Sequence, residues 1–121
     1  MERRVLIADD NTILREVLKE SLQTVAGIRS CSEAANGREA VERALESKPD
    51  LIILDLLMPE MNGVEAARLL KASMPEVPIV LFTMCHAGSW MEELGVDAVV
   101  SKPEGLARLT ECVDRLLSRT P

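Results

Sequence analysis

Three short apolar runs in this chain each end in a residue able to handle a metal ion or a phosphate. Val5 to Ala8 is followed by Asp9-Asp10, Leu51 to Leu54 by Asp55, and Ile79 to Phe82 by Thr83. A fourth run, Ala98 to Val100, is followed by Ser101 and Lys102. Carboxylates brought together repel one another unless a cation lies between them, and their hard oxygens suit Mg²⁺. Because Mg²⁺ keeps several waters and takes one or two carboxylates plus phosphate oxygens, an incomplete cage suits phosphoryl transfer better than a structural metal. An aspartate beside such an ion can attack phosphorus and form an acyl phosphate. A lysine ammonium and a hydroxyl donor, here Lys102 and Thr83, stabilise charge on the phosphoryl oxygens. Taken singly each residue is ordinary: Asp9-Asp10 fits a turn and cap, Asp55 a solvated strand end, Thr83 a residue after a strand, Lys102 a surface charge. The chemistry requires that they meet.

The elements that must bring them together are legible. Leu51 to Leu54 runs without alternation, as a strand buried on both faces does, and a carboxylate at the carboxyl end of a central parallel strand lies in the crevice where open α/β sheets bind ligands. Met58-Pro59 stops that strand. Asn62, with Glu65 three residues on, has the spacing of a capping box for a helix from about Gly63 to Ser73. Ile13, Leu14, Val17, Leu18 and Leu22 share one face of a helix running to about Val25. Ile28 to Ala34 reads as a weaker, outer strand, and Asn36 with Glu39 opens a second helix that Pro49 closes. Ser89 to Leu94 fits a short fourth helix, Ala98 to Val100 a fifth strand, and about Glu104 to Ser118 a last helix with Leu106, Leu109, Val113, Leu116 and Leu117 on one side. Strands alternating with helices imply an α/β fold, a doubly wound parallel sheet. A flavodoxin-like five-stranded sheet of order 2-1-3-4-5, with five helices of which the fourth is short, brings Asp9-Asp10, Asp55, Thr83 and Lys102 to one end.

The bulk numbers fit this reading. The 121 residues are 47% apolar and 28% charged, as expected for one globular domain spanning 1–121. A net charge of −6 and only two aromatics, Phe82 and Trp90, argue against a nucleic-acid surface. Cys31, Cys85 and Cys112 are odd in number and widely spaced, with the single His86 as the only histidine to join them in a zinc site, so they read as reduced thiols. No stretch reaches the roughly 18 apolar residues needed to cross a bilayer, and none has the form of a signal peptide, so the expected compartment is the cytoplasm.

Asp9-Asp10, the segment Asp55-Leu56-Leu57-Met58-Pro59-Glu60-Met61-Asn62-Gly63, Thr83 and Lys102-Pro103 together resemble the receiver domain of two-component response regulators. Glu33-Ala34-Ala35-Asn36-Gly37 resembles the second-strand ending of such domains, and the likeness covers essentially the whole chain. The resemblance implies that Asp55 accepts a phosphoryl group from a sensor histidine kinase or phosphotransfer protein. It implies Mg²⁺ held by Asp10, Asp55 and the Leu57 carbonyl, with Asp9 acting largely through water. Thr83 would hydrogen-bond the phosphoryl group, Lys102 would pair with it, and the Lys102-Pro103 bond would be a candidate cis peptide. The output surface would be the fourth helix, fifth strand and fifth helix, contacting an output domain, a partner or a second copy in a homodimer. Such a protein is a switch that catalyses only its own phosphorylation and dephosphorylation.

Departures from the family pattern lie on the signalling side. Val99 stands three residues before the lysine, where receivers carry Tyr or Phe, Met84 stands where a small residue is usual, and the span from Thr83 to Lys102 is a few residues short. They motivate an alternative, a receiver-like interaction module signalling without phosphorylation. Trp90 reads as a half-buried helix residue or a partner's anchor, and Cys85 and His86 as incidental neighbours of the site. A phosphatase with an aspartyl-phosphate intermediate would need an acid two residues after Asp55, where Leu57 stands. A nucleotide-binding Rossmann domain would need a glycine-rich first turn, which is missing. The chain fits either a stand-alone protein or a piece of a larger regulator.

Overall fold

The computed structural model describes residues 2–25, 27–84 and 93–119. Strands β1 (Arg3–Ala8), β2 (Ile28–Ala34), β3 (Leu51–Leu54), β4 (Ile79–Thr83) and β5 (Ala98–Ser101) form one parallel sheet of order β2-β1-β3-β4-β5. Helices α1 (Thr12–Leu22), α2 (Gly37–Ser47), α3 (Gly63–Ser73) and α4 (Leu106–Ser118) connect or follow them. The short helix expected over Ser89 to Leu94 falls mainly outside the described residues, as do Cys85, His86 and Trp90; Glu93 to Gly95 is a turn.

The unalternating apolar runs follow from burial on both sides. Leu6, Ala8, Ile52, Leu54, Ile79 and Leu81 point to one face, where α2 and α3 cover them with Ala40, Ala44, Ala66, Ala67 and Leu70. Val5, Ile7, Leu51, Ile53, Val80, Phe82 and Val100 point to the other, beneath Leu18 and Leu22 of α1 and Leu109, Cys112, Val113 and Leu116 of α4. Since strand side chains alternate, a strand with helices on both sides has no solvent position to fill with a polar residue. Outer strand β2 shows the converse, with only Ala34 fully buried.

Each of the first three helices opens on an asparagine. The side-chain oxygens of Asn11, Asn36 and Asn62 accept from the N–H groups of Leu14, Glu39 and Glu65 at 3.0, 2.8 and 3.0 Å, satisfying donors that a helix start leaves free. Glu39 closes its side of the α2 cap one residue early, on the Ala35 N–H at 3.0 Å. Helix α1 stops at Leu22, short of the expected Val25, which is buried in the following turn.

Candidate functional site

Register decides where the polar residues land. Ala8 pairs with Ala34 on one side and Leu54 on the other, and Thr83 pairs with Ser101, so the strand ends are level. The ladder continues one residue further. Asp9 N–H donates to Ala34 O and Asp55 N–H to Ala8 O, both at 3.0 Å, and these bonds hold the two carboxylates on adjacent strand ends.

Asp9, Asp55 and Thr83 are buried, while Asp10 is exposed. Carboxylate oxygens of Asp9, Asp10 and Asp55 lie within 4.8 Å of one another. The ammonium of Lys102 reaches across from the end of β5, 2.9 Å from Asp9 Oδ2 and 3.1 Å from Asp55 Oδ2. Burial alone would lower the Lys102 pKa, but hydrogen bonds and charge attraction from Asp9 and Asp55 outweigh it and hold the pKa above the usual lysine value. The second oxygens are also engaged: Asp9 Oδ1 accepts from Asn11 N–H at 2.9 Å, and Asp55 Oδ1 from Leu57 N–H at 3.3 Å.

The loop after β3 is set by close backbone packing. Gly63 N–H donates to Leu56 O and Gly37 N–H to Met61 O, both at 2.9 Å. A Cβ on Gly63 would stand 2.2 Å from the Asp55 carbonyl oxygen, and one on Gly37 2.0 Å from that of Met61. Only glycine lets α3 approach the Asp55 backbone this closely. Leu57, at the outer turn of this loop, is exposed, as is Met84 after β4.

Lys102 to Glu104 form a 3₁₀ turn. The Lys102-Pro103 bond is trans, since no cis bond occurs among the described residues, which corrects the sequence expectation. The turn accounts for it: Ser101 N–H and Oγ both donate to Glu104 Oε2, at 2.7 and 3.1 Å, and Pro103, inside that first helical turn, has no N–H that needs a partner. Val99 is half-buried against the core on the α2 and α3 side.

A network that the sequence reading missed backs the site. Arg15 of α1 donates through Nη1 to the Asp9 carbonyl at 2.6 Å and through Nε to Glu33 Oε1 at 3.0 Å, and Lys19 Nζ lies 3.1 Å from Glu33 Oε2. Burial would raise the Glu33 pKa, but hydrogen bonds from Lys19 and Arg15 prevail and lower it. Strand parity carries the signal: Glu33 pairs with Ile7, which faces α1.

The donor set, three carboxylates with hard oxygens, fits Mg²⁺. A shielded aspartate beside a cation site and an ammonium is equipped to accept a phosphoryl group.

A family model for the response regulator receiver domain matches residues 5–114. The chain is 37% identical over 122 residues to a protein-glutamate methylesterase/protein-glutamine glutaminase of Carboxydothermus hydrogenoformans, covering 96% of this chain and 34% of that protein. It thus spans about a third of that relative's length. It is 35% identical over 119 residues to the chemotaxis protein CheY of Thermotoga maritima, covering 96% and 98% of the two chains. The crystal structure of the response regulator domain of Thermotoga maritima CheB superposes with a TM-score of 0.87 at 27% identity, covering 100% of both chains.

Proposed function

We propose a function from one premise: this chain belongs to the response regulator receiver domain family. It is a phosphoacceptor switch of a two-component system, with residues 1–121 as one domain and Asp55 as the acceptor. The observation that carries the reading is the meeting of Asp9, Asp10 and Asp55, with carboxylate oxygens within 4.8 Å, beneath the Lys102 ammonium.

Asp10, Asp55 and the Leu57 carbonyl would hold Mg²⁺, with Asp9 contributing largely through water. The ion would supply neutralisation of charge on the phosphoryl oxygens. A carboxylate oxygen of Asp55 attacks the phosphorus of a phosphohistidine on a sensor histidine kinase or phosphotransfer protein. The new O–P bond forms as the P–N bond breaks, and its electron pair leaves with the imidazole. Lys102, which pairs with Asp9 and Asp55 before the reaction, would pair with a phosphoryl oxygen after it, and the Thr83 hydroxyl would donate a hydrogen bond to another. The chain thereby turns over only its own acyl phosphate. Free thiols at Cys31 and Cys112 fit a reducing cytoplasm.

Val99 favours a second reading, in which the domain docks its partner regardless of phosphorylation. A valine has no ring to turn inward when Thr83 is drawn to a phosphoryl group, so the face made by β5 and α4 lacks that report. Borohydride trapping after treatment with a small phosphodonor and Mg²⁺ tests the first reading: reduction mapped to Asp55 supports it, and label elsewhere sinks it. Partner affinity unchanged by phosphodonor favours the second.

A further inference from the structure

We infer that Arg15 is a positioning residue for the cation site, acting through the peptide unit that joins Asp9 to Asp10; this rests on the metal reading above. Asp9 is fixed at its N–H by Ala34 O at 3.0 Å, at Oδ1 by Asn11 N–H at 2.9 Å, and at Oδ2 by Lys102 at 2.9 Å. Its carbonyl is fixed by Arg15 Nη1 at 2.6 Å. That carbonyl belongs to the planar unit leading into Asp10, so its direction sets where the Asp10 backbone, and with it the exposed carboxylate, emerges.

Arg15 can impose a direction because it is itself held. Its Nε donates to Glu33 at 3.0 Å and its Nη2 to Thr12 Oγ1 at 3.3 Å, and its side chain is only 12% exposed. Glu33 is anchored in turn by Lys19 at 3.1 Å. The guanidinium is a rigid planar fork that serves several acceptors at fixed angles, which an ammonium cannot reproduce.

Two effects of Arg15 oppose one another. Its charge repels an incoming cation, whereas its orientation of the Asp9-Asp10 peptide prepares the ligands. If charge dominated, Arg15→Ala would tighten Mg²⁺ binding and Arg15→Lys would leave it unchanged. Positioning predicts that both weaken it, by about tenfold or more, the usual effect of losing a group that orients metal ligands.

The test is calorimetric titration of Mg²⁺ into the full chain, far below each variant's melting temperature, for the parent, Arg15→Lys, Arg15→Ala and Asp10→Asn. Loss of folding stability alone does not change affinity measured on folded protein. The expected result is binding by the parent, a weakening of about tenfold in Arg15→Lys, and a loss at least as large in Asp10→Asn. If Arg15→Ala does not fold, Arg15→Lys decides. Unchanged affinity in Arg15→Lys, or tighter binding in Arg15→Ala, overturns the role of Arg15 while leaving the metal reading intact. A parent that binds no Mg²⁺ overturns both.

Discussion

Lys102 holds its ammonium 3.1 Å from Oδ2 of Asp55, spanning from the end of β5 to the end of β3 across the intervening β4. The same nitrogen lies 2.9 Å from Asp9, and the side chains of Asp9 and Asp55 are 3% and 5% exposed. Lys102 is therefore the internal cation that makes two shielded carboxylates tolerable in the absence of metal.

Lys102→Ala removes that cation. Leaving buried carboxylates unpaired costs about 3 kcal/mol, so the unfolding free energy in EDTA falls by about that amount and the urea midpoint moves to lower denaturant. Added Mg²⁺ recovers more stability in the variant than in the parent, because nothing competes with it for Asp9 and Asp55. An unchanged midpoint in EDTA contradicts this account of Lys102.

Asp10→Asn should reverse sign with metal. Asp10 is exposed and adds a third carboxylate within 4.8 Å of the other two, so its neutralisation relieves repulsion and leaves the metal-free fold at least as stable. With Mg²⁺ at a hundredfold excess over its dissociation constant the parent gains about 2.7 kcal/mol, and the variant gains much less. Thermal melting with and without Mg²⁺ checks both halves.

The fold and most of the site were legible because both rest on local signals. Runs such as Leu51 to Leu54 announce strands covered on both faces, and level strand ends then bring Asp9, Asp55, Thr83 and Lys102 together once the strand order is known. Arg15 and Glu33 escaped because their pairing depends on the register of β1 with β2. In the sequence, Arg15 is a polar position on an amphipathic helix and Glu33 a polar residue in a mixed strand. The Lys102-Pro103 peptide was misjudged for a different reason: the cis expectation came with the family resemblance, and the local Ser101 and Glu104 cap that suits a trans turn was not weighed against it.

Gly63→Ala presses a methyl group to within 2.2 Å of the Asp55 carbonyl oxygen. The backbone of α3 or of Asp55 must shift, and overpacking of this kind costs about 1–3 kcal/mol. We expect chemical denaturation to register that loss and phosphodonor labelling of the folded variant to slow, since Asp55 moves with its carbonyl.

Glu33 gives the acid limb a defined contributor. With its pKa lowered in the folded state by Lys19 and Arg15, its stabilising contribution is fully present above its unfolded pKa of about 4.3 and is lost as pH falls through the folded value. The difference in unfolding free energy between the parent and Glu33→Gln is therefore largest near neutrality and shrinks below about pH 4. A difference that stays constant from pH 7 to pH 3 would contradict it.

The central claim, that Asp55 accepts a phosphoryl group with the help of Mg²⁺, is tested most directly by intact mass after incubation with acetyl phosphate. The account predicts one added phosphoryl group on the parent, none on Asp55→Asn, and none on the parent in EDTA. A folded parent that gains no mass with Mg²⁺ present, or an Asp55→Asn variant that gains as much as the parent, contradicts it.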